Sequence, residues 1–119
     1  MGIDISLFRT ATKLAEASCK PLSGPSNRLG EGDVAALLAL LPGWLTEDGG
    51  IAKPFRFADY AATLTFVHAV ADIAVREDHH PDISFGYNKA RVYFATHDVG
   101  GLSLNDFICA AKVDALAGH

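Results

Sequence analysis

The chain reads as an α+β domain in which three helices cover one face of a four-stranded antiparallel sheet. Stretches of helical and strand periodicity succeed one another as helix, two strands, helix, two strands, helix. Asp48-Gly49-Gly50 marks a hairpin between the first two strands. With 119 residues, half hydrophobic and a fifth charged, the chain has material for one core and not for two.

Residues 1–31 read as a leader and loop, packed loosely or not at all and partly disordered. Ile5, Phe8, Thr12 and Ala15 could line a short helix, but Pro21, Gly24, Pro25, Gly30 and Gly32 then interrupt regular structure. The compact domain is expected over 32–119. Asp33 to Leu41 forms a short helix that Pro42-Gly43 ends. Trp44 opens the first strand. Ile51, Lys53, Phe55 and Phe57 then alternate with Ala52, Pro54 and Arg56, and Pro54 implies a free strand edge because it cannot donate to a ladder.

Residues 58–77 form the long helix. Tyr60, Leu64, Val67, Ala71 and Ala74 make one apolar stripe; Phe66, Val70 and Ile73 make a second. That surface is wider than one sheet face requires, which predicts a further partner such as another subunit. Two strands, 83–87 and 90–97, follow. Gly100-Gly101 turns the chain, and Ser103 caps a last helix reaching about Leu116. Its inward stripe is Leu104, Phe107, Ile108, Ala111 and Ala115.

The net charge is −4 and no Lys/Arg stripe is present, which disfavours nucleic-acid binding. No apolar run is long enough to span a bilayer. Arg9 and Lys13 interrupt the apolar residues between Met1 and Ala17, so a secretion signal is not expected. Cys19 and Cys109 lie in different kinds of segment, which makes a disulfide framework unexpected. A cytoplasmic location fits these features.

Three of the five histidines cluster at segment ends: His79-His80 before Pro81, and His97 within Thr96-His97-Asp98. Histidine exchanges protons near neutral pH, so the cluster points to acid–base chemistry. Pro81 disfavours helix at His80 and places His79 at the end of the long helix. The helix carbonyls and neighbouring Asp78 there favour a protonated imidazolium. Arg91, Tyr93, Ala95 and His97 share one strand face, while Val92, Phe94 and Thr96 face the core. A pocket between the helix end and the strand end would unite His79, His80 and His97. Adjacent histidines suit a single metal ion poorly, so no metal is expected. His68 and His119 read as structural or surface histidines, and Asp106 as a capping carboxylate for Ser103.

Asp78-His79-His80-Pro81-Asp82, Tyr87-Asn88, Thr96-His97-Asp98, Gly100-Gly101-Leu102-Ser103 and Asp106 together resemble the pterin-4a-carbinolamine dehydratase family. Gly43-Trp44 and Phe55-Arg56-Phe57 fit the same pattern. The resemblance implies dehydration of 4a-hydroxytetrahydrobiopterin to quinonoid dihydropterin, in the recycling that follows aromatic amino-acid hydroxylation. His79 and His97 would be the general acid–base pair, and His80 would complete the catalytic set by binding and orienting the pterin. Asp78 and Ala95, Thr96, His97 and Asp98 would line the substrate site, with Trp44 near it. No cofactor or metal is implied. Dimers or tetramers are, as is functional coupling to an aromatic amino-acid hydroxylase. Val75 stands where many members carry glutamate, and Ala95 where many carry serine or threonine.

The family has other uses. One is a non-enzymatic assembly factor for rubisco in carboxysomes, in which the active-site histidines are degraded; all three are present here. Another is a dimerisation cofactor for a homeodomain transcription factor.

Overall fold

Apolar alternation and a few permissive turns determine the architecture. The computed structural model describes residues 5–117; His119 and the start of the leader lie outside them. Strands β1 (Leu45–Glu47), β2 (Gly50–Arg56), β3 (Asp82–Phe85) and β4 (Lys89–Phe94) form one antiparallel sheet of order β1-β2-β4-β3. The helices are α1 (Ala11–Glu16), α2 (Glu31–Leu38), α3 (Tyr60–Glu77) and α4 (Leu104–Leu116), with 3₁₀ turns at Pro25–Asn27 and His97–Val99. The observed class is the predicted one, with short α1 joining three longer helices.

Asp48 and Gly49 both have positive φ (48° and 77°), the requirement of a two-residue type I′ hairpin. β1 pairs only with Gly50 to Ala52, so the edge of β2 at Pro54 is uncovered on that side, as its missing N–H requires. Ile51, Phe55, Ala90, Val92 and Phe94 are buried, while Pro54, Arg56 and Lys89 are exposed on the opposite face. The helices cover the first face. Leu37, Phe66, Val70, Ile73, Phe107 and Ile108 all join one core with it. Phe66 packs between Phe55 and Phe57, with ring centroids at 4.7 and 4.9 Å.

Four local expectations need correction. The leader is part of the core: Leu14 of α1 is fully buried against α4, and Leu29 is buried beyond it. Its glycines and prolines forbid long elements but not packing. β4 ends at Phe94 rather than residue 97, because the Thr96–Gly101 bridge turns the chain away from β2 and β3. In α4, Ala115 is exposed and Asn105 to Ala111 are all buried, because α1 and α3 flank the helix and leave it little solvent-facing side. In α3 the inward stripe is Thr63, Phe66, Val70, Ile73 and Ala74, while Tyr60 and Ala71 are exposed.

Candidate active site

The end of α3 delivers the first histidine. Asp78 adopts the left-handed conformation (φ 51°), which a short polar side chain tolerates. The turn brings the His79 N–H to the Ala74 carbonyl at 3.1 Å, and Pro81 keeps the helix from resuming. His79 thus stands immediately past the helix terminus.

The second arm leaves β4. Thr96 donates its N–H to Gly101 O at 2.8 Å, and His97 to Val99 make one 3₁₀ turn closed by Gly100 at φ 77°. His97 is therefore on an exposed turn rather than the last position of a strand.

Between these arms lies an open cavity of about 290 Å³. Its walls are Asp78, His79, His80, Ala95, Thr96, His97 and Asp98. Within it the histidines differ. The His79 side chain is largely buried and its ring lies parallel to Phe94, 7° between planes and 5.8 Å between centroids. His80 and His97 are exposed.

The carboxylate that serves His79 is Asp106, not its neighbour Asp78. The Asp78 side chain is solvent-exposed and lies 4.0 Å from His80 Nε2. Asp106 is fully buried, and its Oδ1 lies 2.6 Å from His79 Nε2. Oδ2 accepts from Thr96 Oγ1 at 2.8 Å and from Ser103 N at 2.9 Å. A carboxylate only accepts, so Nε2 carries the proton and Nδ1 is the nitrogen left for chemistry. Thr96 spends its single hydroxyl hydrogen on Asp106, so Ser103 Oγ donates to Thr96 Oγ1 across 2.8 Å. Among the described residues no buried side-chain nitrogen or oxygen lacks a partner. Asp106 at the third position of α4 does cap Ser103, as its spacing predicts. The capping role concealed the second one, which depends on contact with residue 79, 27 positions away.

Trp44 is not at this cavity. It is buried beside Phe94, centroids 6.1 Å apart, and donates Nε1–H to Asp114 at 3.1 Å. Val75 is exposed on α3. Nearby Tyr93 holds its proton above the ordinary tyrosine range, through partial burial and then the charges of Asp48, Asp82, Asp106 and Glu47. Among the described residues no three His, Cys, Asp or Glu side chains converge as a metal site, and no helix is long and apolar enough to cross a membrane.

The fold is a small α+β layer with a histidine cleft in which one imidazole is held on a buried carboxylate. Residues 27–116 match the family model described as pterin 4 alpha carbinolamine dehydratase, and the chain belongs to that family. A relative from Stenotrophomonas maltophilia (strain K279a), named "Putative pterin-4-alpha-carbinolamine dehydratase", is 56% identical over 105 residues, covering 87% of this chain and 90% of its own. A relative of the same name from Xanthomonas campestris pv. campestris (strain 8004) is 54% identical over 105 residues, with 87% and 89% covered. Among solved structures, a transcriptional coactivator/pterin dehydratase from Brucella melitensis superposes with a TM-score of 0.74 at 35% identity, covering 77% of this chain and 100% of that one. A pterin dehydratase-like RuBisCO assembly factor of the alpha-carboxysome superposes with a TM-score of 0.54 at 32% identity, covering 63% and 87%.

Proposed function

We propose that the protein dehydrates 4a-hydroxytetrahydropterins by histidine acid–base catalysis. The observation that carries this reading is the single cavity that gathers His79, His80 and His97 from two separate segments, with His79 fixed on Asp106. Protonated His79 holds Asp106 through Nε2 and donates from Nδ1 to the 4a-hydroxyl. The N5 lone pair forms the C4a=N5 bond as water leaves. His97 accepts the N5 proton, giving the quinonoid dihydropterin. His80 holds the pterin, and Asp78, Ala95, Thr96 and Asp98 complete the walls. Asp106 offsets the charge of the imidazolium and holds its ring still, the part a buried carboxylate plays in other histidine relays. The nitrogen lone pair expels the hydroxyl, so these side chains suffice for the step.

The reading places the enzyme in the cytoplasm, beside an aromatic amino-acid hydroxylase that forms its substrate. It also makes the protein a dimer or tetramer, joined through the exposed side of α3 where Tyr60 and Val75 are 45% and 76% exposed.

A second reading, a rubisco assembly factor without activity, is favoured by the resemblance to the carboxysome protein. The decay of a 4a-carbinolamine made in situ by an aromatic amino-acid hydroxylase separates the two. The dehydratase accelerates that decay far above the rate in buffer. A decay no faster than buffer would overturn the enzymatic reading and leave the assembly role.

A further inference from the structure

Cys19 and Cys109, 90 positions apart in the chain, bring their sulfurs to 3.4 Å. Their neighbours build the approach. Asn105 and Cys109 stand four residues apart on one face of α4, so they meet successive residues of the N-terminal segment. The Asn105 side chain accepts from Lys20 N at 3.1 Å and donates to Lys20 O at 2.7 Å. Cys19 N donates to Glu77 Oε1 at 2.8 Å. These bonds fix the backbone at and just after Cys19 and hold its thiol against α4.

The two thiols differ in access and in proton. Cys109 is fully buried. Cys19 is half-buried and lines an open cavity of about 440 Å³, so a small oxidant meets it first. Cys19 spends its hydrogen on the Asn105 carbonyl at 3.7 Å, which leaves Cys109 to donate its own to the Cys19 sulfur. That bond, and then burial, keep Cys109 protonated.

We infer that Cys19 and Cys109 are a redox-active pair, oxidised by a hydroperoxide to a disulfide that pins the N-terminal segment to α4. Cys19, as its thiolate, attacks one oxygen of hydrogen peroxide and the O–O bond breaks. The leaving hydroxide takes up the proton that Cys19 gave up, and Cys19 becomes a sulfenic acid. The Cys109 sulfur then attacks the Cys19 sulfur. The S–O bond breaks, and the hydroxide departs with the Cys109 proton as a second water. Two thiols lose two electrons, which reduce one hydrogen peroxide to two waters. A disulfide bond is about 2.05 Å long, so the sulfurs close by about 1.4 Å. Cys19 lies outside helix and strand, so its segment takes up that shift while α4 stays in place. The chemistry needs neither a pterin nor His79.

The test treats the full chain with a small molar excess of hydrogen peroxide near neutral pH. Tryptic mass spectrometry without reductant should find residues 14–28 joined to residues 92–112, lighter by two hydrogens than the separate peptides. The thermal midpoint should rise by about 5–15 °C, and dithiothreitol should reverse both changes. Cys19→Ser should show neither change, and its Cys109 should stay reduced while the protein is folded. In Cys109→Ser the sulfenic acid on Cys19 has no partner and should be trapped by dimedone. Wild-type thiols left unchanged, or Cys19 carried to sulfinic acid without the crosslink, would overturn the inference. So would oxidation of Cys109 in folded Cys19→Ser at the wild-type rate. A crosslink that leaves the midpoint unmoved would overturn the pinning of the segment. Where Cys109→Ser does not fold, the wild-type crosslink and Cys19→Ser decide the outcome.

Discussion

Asp106 Oδ1 and His79 Nε2 lie 2.6 Å apart, joining the first turn of α4 to the end of α3 beneath the cleft. The contact fixes the histidine tautomer, anchors the helix cap and links both arms of the site through Thr96. One buried carboxylate thus serves the fold and, in the proposed mechanism, the chemistry.

Asp106→Asn therefore acts mainly on turnover. The amide keeps one acceptor oxygen but loses the charge that faces the imidazolium. Dehydration kcat should fall by about 10²-fold with KM little changed. Loss of the charged cap should also cost about 1 kcal/mol of stability. Steady-state kinetics alongside thermal unfolding check both, and an unchanged kcat would remove Asp106 from the positioning of His79.

The N-terminal segment belongs to the folded unit. Leu14 is fully buried in the core. Leu14→Ala should destabilise the whole domain by about 2–5 kcal/mol in a single transition. Urea denaturation followed by near-UV signals from Trp44 reads this; a variant as stable as wild type would make the segment an appendage.

Lys53, Asp114 and Trp44 form a buried polar knot. Lys53 Nζ lies 3.0 Å from Asp114 Oδ1 and 3.0 Å from Pro42 O, while Trp44 Nε1 donates to the same Oδ1. Lys53→Ala strands the carboxylate and should cost about 3–5 kcal/mol, whereas Lys53→Met with Asp114→Leu removes both charges and should cost less. A double-mutant cycle by chemical denaturation decides it.

Cys19 and Cys109 are free thiols with sulfurs 3.4 Å apart. The hydrogen bond shared with Cys19, and then burial, push the Cys109 thiol far above the usual range. In the unfolded chain that thiol ionises near pH 8.5. Its contribution to stability is therefore complete below that pH and declines as pH rises beyond it. Thermal midpoints should hold from pH 7 to about 8.5 and fall from there to pH 10, less steeply in Cys109→Ala. Iodoacetamide at pH 8 should modify Cys19 first and reach Cys109 only on unfolding.

Local periodicity carried most of the fold. The hairpin at Asp48-Gly49, the cap at Ser103 and the break before Pro81 each act within a few residues, and each stands where its chemistry demands. Long-range packing was not legible in the same way. Nothing local to Leu14 reveals that α4 lies over it, and the near-complete burial of α4 depends on α1 and α3 arriving from distant segments. At the site, the spacing identified the histidines but paired His79 with Asp78, its covalent neighbour. The left-handed turn at Asp78 instead sends that side chain into solvent and turns His79 toward Asp106. Asp106 carried a sequence signal, the third-position carboxylate after Ser103, and that signal reported only its capping role.

The proposed dehydration depends most directly on His79. The measurement that tests it is the single-turnover rate of 4a-carbinolamine dehydration by wild type and His79→Ala at matched pH, with circular dichroism confirming the fold of each. Wild type should exceed buffer by orders of magnitude, and His79→Ala should lose 10²–10⁴-fold. A folded His79→Ala protein that dehydrates as fast as wild type would contradict the assignment of proton transfer to this residue.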